Sequence, residues 1–263
     1  MIRPGGELLT KRAIKQAAIP KGAKILDVGC GDGDTVALLT EQGFDAAGVD
    51  MSSKLIARGR ERHKDIDLRC MEAEFLDFES KTFDAVLMEC SLSVFRLHED
   101  AVFEAYCLLK PGGKLIISDL YLKSPDPKAV EKMLIEASEK ASKPKVEGGC
   151  DENEKQSFVM LDGALVIDEL AGKIEEMGFE IEYFEDVEHA IANFAAQAIM
   201  GHGSLEEYFK AVVPEGDDPA RYCSCSAFKN AKDLGYFLMI LRKPEAEKSP
   251  QRVYTSPEEG QKI

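Results

Sequence analysis

The sequence lacks several features that would assign it to a class at once. No stretch reaches the roughly 18 apolar residues of a membrane-spanning helix, and no signal-type apolar block follows the first residues. The seven cysteines include no C-x-x-C pair, which argues against a zinc ribbon or a thioredoxin-like redox site. These absences predict a cytoplasmic protein with reduced cysteines, no metal site and no membrane partner.

Positive charge is scarce as well. The 263 residues include 33 Lys and Arg against 48 Asp and Glu, which gives a net charge of −15. A surface this acidic argues against binding along a phosphate backbone, which needs clustered cations. We therefore expect no nucleic-acid partner, and a small molecule or a protein as the substrate. The sequence leaves the oligomeric state open.

One stretch, Lys24 to Thr35, predicts a strand, a glycine-rich turn and a helix. Ile25, Leu26 and Val28 form a short apolar run, which is typical of a strand buried on both faces. The glycines that follow stand at every second position: Gly29, Gly31 and Gly33. Residues without a Cβ let the backbone turn sharply and let a ligand lie against it. In α/β folds this arrangement binds nucleotide-like ligands at the carboxyl ends of the strands.

The turn differs from the dinucleotide-binding fingerprint. That fingerprint reads G-x-G-x-x-G and aims a helix N-terminus at a pyrophosphate. Here Asp27, Asp32 and Asp34 crowd the turn, and their carboxylates would repel a pyrophosphate but attract a ligand with a cationic end. Alternatively, Asp32 and Asp34 cap the helix that follows. Asp50 ends the next apolar run, where an acid can accept both hydroxyls of a ribose.

Four segments, in this order, are similar to the motifs of one family. Asp27–Gly33 resembles the first motif of the class I S-adenosylmethionine-dependent methyltransferases, and Asp50 matches their ribose-binding acid. Glu72–Phe78 resembles their adenine-side segment. Leu109–Leu115 resembles the turn that leads into their fifth strand. The resemblance covers roughly the first half of the chain.

The resemblance implies an α/β, Rossmann-like three-layer sandwich. Its sheet has seven mostly parallel strands in the order 3-2-1-4-5-7-6, with the last strand antiparallel. The apolar runs place these strands at 24–29, 45–49, 66–71, 83–88, 114–119, 179–184 and 235–243. We expect a single domain over 1–243 and a disordered tail over 244–263.

Helical insertions are expected after strands five and six. Residues 122–162 resemble the cap or lid of many small-molecule methyltransferases, with a disordered surface insertion as the alternative. Residues 186–234 form the second insertion. An amphipathic helix over 7–18 is expected to lie over the cofactor cleft, and the basic residues around it are either a solvated face or a guide for an anionic substrate. Further helices are predicted at 99–109, 163–178 and 187–200.

The resemblance also implies which residues hold S-adenosyl-L-methionine. The glycine turn would hold the methionine part, and Asp27 would orient that turn or meet the ammonium group. Asp50 would accept the ribose hydroxyls, Met51 would pack on the adenine, and Glu72 and Ala73 would lie near the adenine amino group. The full implied set is Asp27, Gly29, Cys30, Gly31, Gly33, Asp50, Met51, Glu72, Ala73 and Glu89.

The catalytic candidates are polar residues at strand ends. Glu89 follows the fourth strand, and Asp119 and Tyr121 end the fifth. Glu89 is a general base, a ligand of a substrate ammonium group or a polar lining of the site, and the same alternatives apply to the other two. His98 begins a helix, where a cap or surface role is the simpler interpretation.

The function predicted from these residues is methyl transfer to a small-molecule acceptor by direct in-line displacement. A non-catalytic module that binds S-adenosylmethionine is one alternative. Another is an arsenite-type enzyme in which Cys90, Cys150, Cys223 and Cys225 converge as thiol ligands. The missing G-x-G-x-x-G spacing argues against a nicotinamide-dependent oxidoreductase, and the missing Asn/Asp-Pro-Pro-aromatic motif argues against a nucleic-acid methyltransferase.

Overall fold

The computed structural model describes residues 3–132, 135, 160–161, 164–216 and 233–245. Within these ranges, strands and helices alternate along the first half of the chain. The strands are β1 (Lys24–Val28), β2 (Asp45–Asp50), β3 (Asp67–Cys70), β4 (Phe83–Glu89), β5 (Leu109–Leu122), β6 (Met160–Leu161), β7 (Ala164–Leu165), β8 (Glu180–Asp186) and β9 (Leu234–Arg242). The helices are α1 (Gly6–Gln16), α2 (Asp34–Glu41), α3 (Ser53–Arg62), α4 (His98–Leu108), α5 (described over 127–132), α6 (Ile167–Glu176), α7 (Ala190–His202) and α8 (Leu205–Val212), with a 3-10 turn at Leu92–Val94.

The seven long strands form one mixed sheet in the order β3-β2-β1-β4-β5-β9-β8. The pairs from β3 to β5 are all parallel. β9 runs antiparallel to both of its neighbours, so β8 points the same way as the parallel strands. The predicted fold class is therefore confirmed, including the antiparallel last strand between strands five and six.

Two short strands that the sequence did not predict extend this sheet. β6 and β7 pair with each other, and Leu165 of β7 pairs in parallel with Tyr121 at the end of β5. A helix was predicted from residue 163, but α6 begins only at Ile167, after the extended residue Val166. Ala164 and Leu165 are almost fully buried. The residues before α6 therefore pack into the sheet layer, and this burial outweighs the helical periodicity.

Strand β5 is longer than predicted. It was expected over 114–119, with a turn before it, but the ladder already begins at Leu109, which pairs with Phe83. Gly112 donates its N–H to Lys243 O at 2.8 Å, and Lys243 returns the bond to Gly113 O at 2.9 Å. These bonds to the residue that follows β9 draw the predicted turn into the sheet.

The core has two layers, one on each face of the sheet. In β1, Leu26 and Val28 face a cluster that includes residues of α4 and α6. Ile25 faces a second cluster that includes residues of α1, α2 and α3. All three side chains are fully buried, as predicted for a strand covered on both faces. The polar turn after β1 is consequently left at the sheet edge, where a ligand can reach it.

The two insertions are described only in part. Of 122–162, the structure describes the end of β5, the first residues of α5 and the two residues of β6. Of 186–234, it describes α7 and α8, whereas residues 217–232, and residues 246–263 of the tail predicted over 244–263, lie outside the described residues. Cys150, Cys223 and Cys225 also lie outside them. In the parts of the chain that the structure describes, no helix is both long and apolar enough to cross a membrane.

Candidate functional site

A cleft of about 680 Å³ opens at the carboxyl ends of β1, β2 and β4. Parallel strands place the polar residues that follow them at one sheet edge, which explains why segments distant in sequence meet here. Nine of the ten residues implied as cofactor ligands line this cleft: Asp27, Gly29, Cys30, Gly31, Asp50, Met51, Glu72, Ala73 and Glu89. The tenth, Gly33, is the N-cap of α2 and lies against the side chains of Leu68 and Ile66.

The glycine turn after β1 depends on residues without a Cβ. Gly29 has φ +78°, and a Cβ placed there would lie 2.4 Å from the Cβ of Ser91. Gly31 has φ +59°, and a Cβ there would meet no atom within 4 Å, because this residue faces the open cleft. Gly29 thus allows the turn to pack against the chain after β4. The missing side chain of Gly31 leaves space for a ligand beside the turn.

Asp50 is fixed at the end of β2 by two backbone donors. Its Oδ2 accepts the N–H of Gly31 at 2.9 Å, and its Oδ1 accepts the N–H of Ser52 at 2.8 Å. Burial raises the pKa of this carboxyl, and the two hydrogen bonds oppose the rise. Each oxygen keeps a lone pair for a further donor, so Asp50 can still accept hydroxyl groups from the cleft. Ser52 also caps α3 by accepting the N–H of Leu55 at 3.3 Å, as its sequence position predicts.

Two buried carboxyl groups, Asp27 and Glu89, lie on the floor of the cleft. Burial and the neighbouring carboxylate of Glu89 raise the pKa of Asp27 to about 8. Glu89 accepts three hydrogen bonds, from Arg3 Nη2 at 2.6 Å, Thr10 Oγ1 at 2.7 Å and Thr35 Oγ1 at 3.1 Å. Helix α1 and the residues before it are thereby fastened over the cleft, in the place predicted for this helix.

The rim on the β2 and β3 side is apolar. Met51 is 64% exposed and Phe75 is 67% exposed, and both side chains line the cleft. Two large apolar groups left exposed at the rim of one cavity are suited to packing against a flat ring. Glu72 is exposed beside them, whereas Ala73 is buried.

Glu74 ties this rim to the segment that follows β4. Its Oε1 accepts the N–H of Arg96 at 3.1 Å and that of Leu97 at 2.9 Å. The adjacent His98 is buried as the first residue of α4, not exposed at the surface.

Asp32 and Asp34 face helix α3. Asp32 forms ion pairs with Arg58, at 3.1 Å, and with Arg62, and Asp34 pairs with Arg62 at 3.0 Å and with His63 at 2.8 Å. The N-cap of α2 is Gly33, with no side-chain capping bond. The two acids therefore join the glycine turn to α3, a role that neither alternative from the sequence included.

The structure does not bring the three catalytic candidates together. Glu89 lines the cleft, but Asp119 is fully buried and accepts from Ser93 N at 2.8 Å and Ser93 Oγ at 2.7 Å. Burial, above all, raises the pKa of Asp119 to about 7. Tyr121 packs edge-to-face against Phe184 and Phe237. Asp119 thus holds the 3-10 turn after β4, Tyr121 lies on the far side of β5, and neither lines the cleft.

Several cleft residues were not predicted from the sequence as site residues. They are Arg3, Thr35, Phe95, Phe194, Tyr208 and Phe209. Arg3 belongs to the basic stretch interpreted from the sequence as a solvated face or a guide, yet its side chain is only 15% exposed and pairs with Glu89. The aromatic residues of α7 and α8 gave no local signal, because only the long-range packing of the second insertion brings them to the cleft.

Cys90 also lines the cleft, in a left-handed backbone conformation (φ +56°) directly after β4. Its N–H donates to Ser118 O at 2.6 Å, so the backbone is fixed between β4 and β5. The predicted convergence of thiols involves Cys150, Cys223 and Cys225, which lie outside the described residues, and it stays a prediction.

Comparison with known proteins gives a family match for part of the chain. Residues 26–117 match the family described as a methyltransferase domain. An uncharacterized methyltransferase, YodH, of Bacillus subtilis (strain 168) is 34% identical over 137 residues, which cover 51% of this chain and 58% of that protein. The 27-O-demethylrifamycin SV methyltransferase of Amycolatopsis mediterranei (strain S699) is 25% identical over 244 residues, or 90% of this chain and 83% of that protein.

A solved structure shares the fold over nearly the whole chain. It is the phosphoethanolamine N-methyltransferase 2 of Haemonchus contortus in complex with S-adenosyl-L-methionine, with a TM-score of 0.64 and 20% identity, covering 93% of this chain and 54% of that one. At this identity the likeness concerns the fold alone. The chain also spans little more than half of the Bacillus relative's length.

Proposed function

We propose that this chain is a class I S-adenosylmethionine-dependent methyltransferase that transfers a methyl group from S-adenosyl-L-methionine to a small-molecule acceptor, which the methyltransferase-domain match over residues 26–117 supports. The observation that carries the proposal is the position of Asp50. Its carboxylate stands at the end of β2, held by Gly31 and Ser52, and keeps lone pairs for the two hydroxyls of a ribose.

The other cleft residues fit the same ligand. The open space above Gly31 leaves room for a ligand to lie on the turn. Met51 and Phe75 expose apolar surface that an adenine ring would cover. The turn also lacks the G-x-G-x-x-G spacing of a pyrophosphate-binding loop, and Asp32 and Asp34 pair with the cations Arg58 and Arg62 beside it.

The floor of the cleft suits a ligand that carries positive charge. Asp27 and Glu89 are both buried there, and Arg3 is the cation that pairs with Glu89. The ammonium and sulfonium groups of S-adenosyl-L-methionine would favour the ionised form of Asp27, whose pKa is about 8 without them. We therefore assign Asp27 to the cationic end of the cofactor.

When bound, S-adenosyl-L-methionine supplies a methyl group already activated toward nucleophiles. The residues of the chain then have to align the acceptor and keep water out. Glu89 accepts from three side chains at once, so we assign it to holding α1 and the cofactor rather than to removing a proton. The buried Asp119 is assigned to supporting the turn after β4.

The acceptor would enter between the aromatic residues of α7 and α8 and the segment after β4. Phe95, Phe194 and Phe209 line this end of the cleft. Their rings favour an acceptor with apolar surface, because such a surface would be removed from water there. The names of the relatives show that one fold serves chemically different acceptors.

Calorimetric titration of the purified protein with S-adenosyl-L-methionine, S-adenosylhomocysteine and NAD tests the proposal. We expect both adenosyl ligands to bind and NAD not to bind. Asp50→Ala should lose affinity by about two orders of magnitude, the loss expected for two hydrogen bonds to a charged group. Asp45→Ala is the matched control, since this exposed acid stands at the other end of the same strand.

The proposal fails if folded protein binds neither adenosyl ligand, or if it prefers NAD. It also fails if Asp50→Ala and Asp45→Ala bind equally well. Binding without any methyl transfer in a broad acceptor screen would favour the non-catalytic module instead.

A further inference from the structure

Helices α7 and α8 contribute an aromatic wall to the cleft. Phe194 of α7 and Tyr208 and Phe209 of α8 line it, and the ring centroids of Phe194 and Tyr208 lie 5.5 Å apart in an edge-to-face arrangement. The hairpin turns at Gly203, which has φ +86°. Because these rings line the acceptor end of the cleft, the position of the two helices should affect how fast a bound ligand leaves.

The hairpin is joined to α3 by few contacts. A cavity of about 850 Å³ separates much of α7 and α8 from α1, α2 and α3. Across this gap, Arg58 donates through Nη1 and Nη2 to Val212 O, each at 3.0 Å. Lys54 donates to Glu215 O at 3.1 Å. Arg58 therefore holds the carboxyl end of α8, where backbone carbonyls lack partners within the helix, and Lys54 holds the segment that follows it.

Arg58 also reaches the glycine turn. Its Nε lies 3.1 Å from Asp32 Oδ2, and the Asp32 side chain is only 5% exposed. One guanidinium thus contacts the end of the hairpin and an acid of the cofactor turn at the same time. The planar guanidinium fixes the hydrogen bonds to Val212 O and the ion pair with Asp32 in one geometry, which the flexible ammonium of lysine does not reproduce.

We propose that α7 and α8 form a lid over the acceptor end of the cleft, and that Arg58 is the positioning residue that couples this lid to the cofactor turn through Asp32 and Val212. The proposal rests on the proposed function, because it assumes that the cleft binds the adenosyl group. With the ligand seated on the turn, Asp32 holds Arg58 in place, and Arg58 holds the lid closed. Removal of Arg58 leaves Asp32 paired with Arg62, so the turn itself keeps a counter-charge.

The test measures how fast S-adenosylhomocysteine leaves the protein. Radiolabelled ligand is bound and then chased with an excess of unlabelled ligand. We expect Arg58→Met to release it about tenfold faster than wild type, the effect of losing a charged hydrogen-bond pair. Arg60→Met is the matched control, because Arg60 lies on the same helix but donates to Leu68 O in the sheet. Its release rate should stay within about twofold of wild type.

A second readout follows the lid itself. The chain contains no tryptophan, so Phe209→Trp introduces a single reporter ring at the lid. Its fluorescence should change when S-adenosylhomocysteine binds, and Arg58→Met should diminish that change while Arg60→Met preserves it. Arg58→Lys should resemble Arg58→Met, since a lysine keeps the charge but not the fixed geometry of the guanidinium.

The outcomes separate this proposal from the proposed function. If wild-type protein does not bind S-adenosylhomocysteine in the calorimeter, the proposed function fails and the lid fails with it. If it binds, but Arg58→Met and Arg60→Met release it at the same rate, the coupling through Arg58 is wrong. Should Arg58→Met not fold, as judged by its melting transition, Arg58→Lys and Lys54→Met carry the test, and normal release from both would overturn the proposal.

Discussion

The two halves of the cleft are built in different ways. The adenosyl half consists of the glycine turn, Asp50 and Met51, which directly follow β1 and β2. The acceptor half consists of Glu89 and Cys90 at the end of β4, together with Arg3 and Pro4, which precede α1, and side chains from α7 and α8. In the first half, the chain segment that forms the sheet also supplies the site. In the second, segments separated by a hundred residues or more have to meet.

This difference determines how each half of the cleft responds to amino-acid substitution. The adenosyl half rests on backbone geometry, because Gly29, Gly31 and Ser52 act through their missing Cβ atoms or their N–H groups. The acceptor half rests on side-chain contacts, such as the three donors to Glu89. Backbone geometry tolerates few substitutions, whereas side-chain contacts can be exchanged one at a time.

The largest effect is expected at Gly29. In Gly29→Ala the new Cβ would lie 2.4 Å from Ser91 Cβ, at φ +78°, so the turn and the chain after β4 must separate. We expect the free energy of unfolding to fall by about 3 kcal/mol, the sum of backbone strain and overpacking. Urea denaturation measures this loss of stability. The affinity for S-adenosylhomocysteine should fall as well.

The variant Gly43→Ala separates the cost of backbone strain from the cost of overpacking. Gly43 has φ +83°, but a Cβ there would meet no atom within 4 Å. In Gly43→Ala the free energy of unfolding should fall only by the backbone strain, about 1 kcal/mol. Equal losses in both variants would mean that the turn does not depend on close packing against Ser91, and the contrast between the two halves would lose its basis.

An effect of intermediate size is expected in the pH dependence of the free energy of unfolding, to which Asp27 contributes. Burial raises the pKa of this carboxyl from 3.8 to about 8, so the folded ligand-free protein binds more protons than the unfolded chain between these values. The stability contributed by protonated Asp27 is therefore lost as the pH rises through this window. The slope for one proton is about 1.4 kcal/mol per pH unit at most.

Asp27→Asn removes this titration and should flatten the pH dependence of the free energy of unfolding between about pH 4 and 8. Asp45→Asn, at the exposed start of β2, should leave it unchanged. Urea denaturation at several pH values measures both. Identical slopes in Asp27→Asn and wild type would place Asp27 outside the buried charge cluster of the adenosyl half.

The sequence predicted the adenosyl half well because its signals are local. An apolar run, alternating glycines and an acid at the next strand end lie within 27 residues, from Lys24 to Asp50, and each acts through its own backbone neighbourhood. The order of the seven long strands was predicted from the family resemblance and is confirmed. By contrast, the contact between Arg3 and Glu89 joins residues 86 positions apart, and no periodicity indicates it.

Strand ends were also an incomplete guide to side-chain direction. Asp119 and Tyr121 stand at the end of β5 as predicted and, being two residues apart, share one face of the strand, but their side chains are held by contacts outside the cleft. Asp119 turns toward Ser93, and Tyr121 packs among the aromatic residues of β8 and β9. Their catalytic role stays a prediction, and the position of Tyr121 allows a sharp test of it.

The smallest effect is expected from Tyr121→Phe. The ring packs against Phe184 and Phe237 on the far side of β5, so loss of the hydroxyl should change the affinity for S-adenosylhomocysteine by less than about twofold. Glu89→Gln, at the other catalytic candidate, should lower it by about tenfold, because a charge-assisted network in the cleft is weakened. Calorimetry compares the two directly. A loss in Tyr121→Phe as large as that in Glu89→Gln would mean that the acceptor half extends across β5, since only a rearranged strand end brings this hydroxyl to the cleft.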